Sequence, residues 1–137
     1  GRTIMADVVI TCPLSVMLPR KTMPDRKYII NKNNERNWHY IVSNKIKQVY
    51  KEALREQLEG LTFTHPIKLK LVYFKASNRR SDRTNVLSQH EKFAADAMVE
   101  FGCIPDDNDD VILSSHYSGG TLDRENPRVE IRVVQDN

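Results

Sequence analysis

Asp82, Asp96 and the run Asp106-Asp107-Asn108-Asp109-Asp110 are the residues of this chain best suited to chemistry. Carboxylates from the end of a strand, from a helix face and from the loop after that helix can meet at one point. Such a point suits hard Mg²⁺ ions, which prefer oxygen donors. A metal held there activates water and neutralises charge developing on a phosphate, as phosphodiester hydrolysis requires. An acidic site repels nucleic acid, so basic residues must bring the substrate in. Arg79, Arg80 and Arg83 flank Asp82, and a loop over residues 19–34 carries Arg20, Lys21, Arg26, Lys27 and Lys32. Each feature also has a plain structural explanation. Asp82 can cap a helix. Lys92 and Asp96 can form an i, i+4 ion pair. The acidic run can be a solvated loop.

The charge distribution fits the chemical reading. Residues 1–80 hold 16 Lys and Arg against 6 Asp and Glu, whereas residues 81–137 hold 5 against 12. The net charge of +3 hides this asymmetry. A basic half points to a polyanionic partner, and an acidic half to a cation site or a solvated loop. At 137 residues, 39% hydrophobic and 28% charged, the chain is expected to be one soluble globular domain over 1–137. The first four residues, 1–4, read as a possible remnant ahead of Met5. No window is apolar enough to span a membrane. Cys12 and Cys103 do not make a disulfide framework, which points to a reducing cytoplasm.

The elements that must position these residues follow from periodicity. Residues 7–12 read as a strand ended by Pro13, and residues 14–18 as a second short one. A helix is expected from Asn33 or Asn34 to about Leu58, closed by Gly60, with Trp38, Ile41, Val42, Ile46, Val49, Ala53 and Leu54 inward. Residues 67–74 alternate with period two, placing Lys68 and Lys70 in water and Ile67, Leu69 and Leu71 in the core. A second helix is expected over 85–101, before Gly102. Its polar stripe is Asn85, Gln89 or Ser88, Lys92 and Asp96. Strands starting at Val111 and spanning 128–134 close the chain. The order β(β)αβαββ implies an α+β fold, a small mixed sheet packed against two helices.

Several familiar motifs fail. His90-Glu91 would need a second His where Ala94 stands. Asp106, Asn108 and Asp110 begin like a calcium loop, but Val111 replaces its turn glycine and Tyr117 its closing Glu. No phosphate-cradling glycine loop precedes a helix. Cys103 reads as a buried structural thiol.

The stretch Asn78-Arg-Arg-Ser-Asp82-Arg-Thr-Asn85-Val, then Lys92-Phe-Ala-Ala-Asp96-Ala-Met-Val-Glu-Phe-Gly102 and Ile104-Pro-Asp-Asp-Asn108, resembles the RusA family of Holliday junction resolvases, closest to its phage-type branch. The opening Leu18-Pro-Arg-Lys21, the segment 31–39 and the closing Asn126-Pro-Arg-Val-Glu-Ile131 resemble it more weakly. The resemblance implies a Mg²⁺-dependent endonuclease, with Mn²⁺ able to substitute, that acts on four-way DNA junctions as a homodimer. It implies a place in recombination and repair, in the cytoplasm of a bacterial or phage-infected cell. Carried over by position, Asp82 and Asp107 match the motif aspartates, Lys92 the helix lysine and Asp96 the acid one turn later. Asn85 then orients water or a ligand, and the proposed metal set is Asp82, Asp96, Asp107 and Asp106. Arg20, Lys21, Arg26, Lys27, Lys32, Arg79, Arg80 and Arg83 would hold DNA. Two departures stand out. Thr84 occupies a place where the family carries an acid, and about one extra helical turn separates Asn85 from Lys92. Asp96, Glu91 or Asp106 could supply the missing ligand. The alternatives are a catalytically impaired junction- or DNA-binding protein and a plain protein-interaction domain.

Overall fold

The computed structural model describes residues 2–4, 6–64 and 66–135. Eleven elements follow one another: β1 (Arg2–Ile4), β2 (Val8–Cys12), β3 (Ser15–Leu18), β4 (Arg26–Ile29), α1 (Lys32–Glu35), α2 (Tyr40–Leu58), β5 (Leu61–Phe63), β6 (Ile67–Phe74), α3 (Arg83–Glu100), β7 (Ile112–Gly119) and β8 (Arg128–Gln135). The class is α+β, as the sequence implies. The main sheet has four strands in the order β2-β8-β6-β7. β8 pairs antiparallel with both β2 and β6, while β6 and β7 run parallel. Parallel neighbours need a crossover, and α3 supplies it.

Alternation decides which face of this sheet is covered. Ile67, Leu69 and Leu71 of β6, Val129, Ile131 and Val133 of β8, and Ile10 and Cys12 of β2 are all buried. They pack against Ile46, Tyr50, Leu54 and Leu58 of α2 and Leu87, Phe93, Ala94, Ala97 and Met98 of α3. The Tyr50 and Phe93 rings meet edge to face at 5.4 Å. Fully burying each large apolar side chain contributes about 1.5–3 kcal/mol, so this layer dominates the stability.

The boundaries of α3 are locally encoded. The Asp82 carboxylate accepts the Asn85 backbone N–H at 3.2 Å and caps the N-terminus. Gly102 ends the helix at φ +77°, a conformation that favours glycine. The thiols are structural. Burial pushes Cys12 up to about 12 and Cys103 up to about 11, and the Cys103 thiol donates to the Leu58 carbonyl oxygen at 3.3 Å.

Three expectations are corrected. The segment 19–34 is not one long loop, because Arg26–Ile29 pairs antiparallel with Ser15–Leu18 as a hairpin. The helix from Asn33 to Leu58 is two helices. Asn31 caps α1, and the Asn34 and Asn37 side chains donate to the carbonyl oxygens of Ile29 and Asn33, a local competition that favours turns over helix. Trp38 sits in the break and packs edge-on against Tyr28 of the hairpin at 6.2 Å. The buried stripe of α2 is Ile46, Tyr50, Leu54 and Leu58, leaving Ile41 and Ala53 exposed. Arg2–Ile4 pairs in parallel with β5. Gly1 and Met5 lie outside the described residues.

Candidate functional site

A cleft of about 480 Å³ opens where the start of β7 runs beside the middle of α3. α3 contributes Ser88, Glu91, Lys92 and Ala95, and the loop after it contributes Asp107 and Asp109. β7 adds Ser114, Ser115 and Tyr117 on the far wall, and Lys32 of α1 closes the rim. Local sequence explains the loop. Asp106 accepts the Asp107 backbone N–H at 2.7 Å and the Asn108 amide at 3.1 Å. Asn108 in turn accepts the N–H groups of Asp110 and Val111. These bonds hold the Asp106 carboxyl below its ordinary range. With Asp106 engaged in the turn, Asp107 is left exposed at the cleft.

Glu91 forms the inner wall. Its two carboxylate oxygens accept the Ser115 hydroxyl at 2.8 Å and the Tyr117 hydroxyl at 2.5 Å. Partial burial and the neighbouring Glu91 push the Tyr117 phenol well above its ordinary range, so it stays a donor at neutral pH. This pair fixes the Glu91 carboxylate while leaving lone pairs on both oxygens. Lys92 lies 3.8 Å from the Glu35 carboxylate of α1, with the lysine side chain largely exposed. That is a weak, screened pair. Asn85 accepts the Asn33 backbone N–H at 2.9 Å, which ties α1, and with it Lys32, to α3.

The residues singled out from sequence are therefore only partly gathered. Lys92, Asp107 and Lys32 share the cleft. Asp82 stands at the start of α3, about 14 Å along the axis from Glu91 at 1.5 Å per residue, with one oxygen used in the cap. Asp106 is spent on the turn, and Asp96 is not among the cleft-lining residues. Among the described residues, no three His, Cys, Asp or Glu side chains converge as a metal-ligand set. Of the two alternatives for the α3 stripe, Ser88 takes the cleft position, whereas Gln89 is fully buried.

The basic residues split into groups. Arg79, Arg80 and Arg83 are exposed around the N-terminus of α3. Lys21 is exposed, and Arg20 donates to the Pro24 carbonyl oxygen within the hairpin loop. Arg26 stacks over Tyr28 at 5.0 Å. Lys27 instead lines a larger, mostly apolar groove beside β3 and β8. Sequence reasoning missed Ser115 and Tyr117. Only the parallel pairing of β7 with β6 brings the two hydroxyls to Glu91, so no local signal marked them.

No family model matches the chain, and no curated protein is significantly similar to it. Among the described residues no helix is long and apolar enough to cross a membrane.

Proposed function

We propose that this chain is a Mg²⁺-dependent, structure-selective DNA endonuclease of the RusA kind that resolves four-way junctions by paired nicks. The observation that carries the reading is one cleft lined by both Lys92 and Asp107, with Lys32 on its rim. Lys92 and Asp107 come from a helix and the loop after it, and Lys32 comes from a distant part of the chain. The donor chemistry suits the metal. Asp107, Asp109 and Glu91 offer hard oxygens, and Mg²⁺ ordinarily takes one or two carboxylates plus water and substrate phosphate. A set short of three converging acids therefore fits this ion, and Mn²⁺ accepts the same donors. When bound, such an ion would polarise the phosphate and lower the pKa of a water.

The chain's own residues have defined tasks in this reading. Lys92 places a cation where negative charge develops on the phosphate. Tyr117 and Ser115 hold Glu91 in one orientation. Asn85 positions α1 and so Lys32. Asp82 caps α3 through one oxygen, and its other oxygen is not used in the cap. Arg79, Arg80 and Arg83, with Arg20 and Lys21, hold flanking phosphates without reading sequence. A symmetric junction calls for two clefts related by a two-fold axis, hence a homodimer.

A second reading has a specific observation in its favour. With Thr84 in place of an acid and no three acids converging among the described residues, the chain would bind junctions without cutting them. Incubation of a synthetic four-way junction with protein and Mg²⁺, read on a denaturing gel, decides between them. Nicking by the wild type is expected. Asp107→Asn should lower its rate by on the order of 100-fold or more while junction binding persists. Wild-type cleavage by Asp107→Asn would overturn the assignment.

A further inference from the structure

The face of the main sheet turned away from the helices is open, and its charge is uncompensated at one end. Register places Arg132 of β8 directly beside Lys70 of β6, and Lys70 directly beside His116 of β7. All three are exposed. Lys68, also exposed, lies one pleat along, between Val134 and Ser114. Among the described residues none of these basic side chains forms an ion pair, whereas at the other end of the same face Arg128 pairs with both Asp123 and Glu130 at 2.8 Å and stacks on Phe74. Like charges set directly opposite on neighbouring strands destabilise a sheet. Strand spacing of about 4.8 Å puts Arg132, Lys70 and His116 in a row roughly 10 Å long. Exposed Val9 and half-buried Val72 and Val134 are the apolar neighbours of these charges.

We propose that this open face is a second polyanion-binding surface, seating a nucleic-acid phosphate backbone on Lys68, Lys70 and Arg132, with His116 at its edge. Charge complementarity selects the occupant, since a row of cations at this spacing matches a chain of phosphates and repels a basic surface. The cleft opens on the helix-covered side, so the two surfaces would hold different DNA arms. The inference rests on the nuclease reading for the identity of the polyanion.

The test measures affinity for a fluorescent DNA duplex without Mg²⁺, across salt concentrations, for wild type and for the triple variant Lys68→Gln, Lys70→Gln, Arg132→Gln. Releasing three phosphate contacts should flatten the log–log salt slope by about 2.7. Between 50 and 200 mM salt the wild type should then lose about 40-fold more affinity than the variant. An unchanged slope overturns the surface. Lys70→Glu keeps the test independent of folding. It replaces a repulsion with attraction to Arg132, so its melting temperature should hold or rise while DNA affinity falls below that of Lys70→Gln. Parallel loss of both, or of neither, overturns the proposal. Junction nicking separates the two readings. Nicking with an unchanged slope sinks only the surface, and a flattened slope without nicking sinks only the nuclease.

Discussion

Ser88, Gln89, His90, Glu91 and Lys92 are five consecutive polar residues on α3 with opposite surroundings. Ser88, Glu91 and Lys92 line the cleft. Gln89 and His90 are fully buried against the core. In the cleft, the Glu91 carboxylate has two hydroxyl donors. In the core, His90 Nδ1 bonds the Tyr50 hydroxyl at 2.7 Å, but His90 Nε2 and both amide atoms of Gln89 have no partner. A buried polar atom without a partner costs about 1–3 kcal/mol. The same helix thus carries polar groups that line an open cleft and polar groups that only tax stability. Neighbouring chemistry-bearing residues are not a site; the face they occupy decides.

The largest expected effect lies on the cleft side. Lys92→Met keeps the length and apolar stem of the side chain and removes only the cation. Nicking should fall about 100-fold with stability nearly unchanged, because the Glu35 pair is exposed. Single-turnover cleavage and thermal melts check both halves. A large drop in melting temperature would make Lys92 a structural residue instead.

On the core side the corresponding probe is pH. Burial holds His90 down to about 3, from an ordinary value of 6.5. The unfolded chain therefore binds a proton through pH 6.5 and the native one does not until about 3. Stability is complete above 6.5 and falls by about 1.4 kcal/mol for each unit below it, roughly 2 kcal/mol by pH 5. The depressed carboxyls of Asp106, Asp123 and Glu52 act at lower pH, so the window from 5 to 6.5 belongs to His90. Chemical denaturation at several pH values should show this slope in the wild type and its loss in His90→Gln. Equal slopes would mean that His90 is protonated in the native state.

How much of this could be read in advance depended on how local the signal was. Lys68 and Lys70 alternate with Ile67, Leu69 and Leu71, and β6 is where that pattern places it. Asp82 and Gly102 bracket α3 by cap chemistry alone. The hairpin strand Arg26–Ile29 is largely exposed, so no apolar alternation marks it. The burial of Gln89 and His90 comes from α2 and the sheet packing around α3, which overrides a polar pattern. Lys92 and Asp107 were legible as types, yet the partners of Glu91 come from β7, and the row Arg132–Lys70–His116 exists only through strand register.

Asp82 probes the border between capping and chemistry. Asn caps a helix about as well as Asp, whereas Ala forfeits about 1 kcal/mol. Asp82→Asn should therefore melt like the wild type, and Asp82→Ala several degrees lower. If the free oxygen of Asp82 serves the reaction, both variants lose about tenfold in nicking. Full activity in Asp82→Asn would reduce Asp82 to a cap.

The smallest effect is expected at Thr84, the departure from the motif. Thr84 is exposed in the first turn of α3, and its carbonyl oxygen accepts the Ser88 hydroxyl at 2.5 Å. A carboxylate there adds about 0.3–1 kcal/mol of favourable interaction with the helix N-terminus, so Thr84→Asp should fold at least as well as the wild type. Its effect on metal use depends on whether a ligand is missing. Glu91 and Asp109 already join Asp107 in the cleft, with Glu91 held in place by two hydroxyls. An acid further up the helix then adds mainly repulsion among carboxylates. The half-saturating Mg²⁺ concentration for junction nicking should stay the same or rise in Thr84→Asp. A clear fall, with cleavage retained, would show that the cleft acids alone are too few and that the motif position lost to Thr84 still belongs to the site.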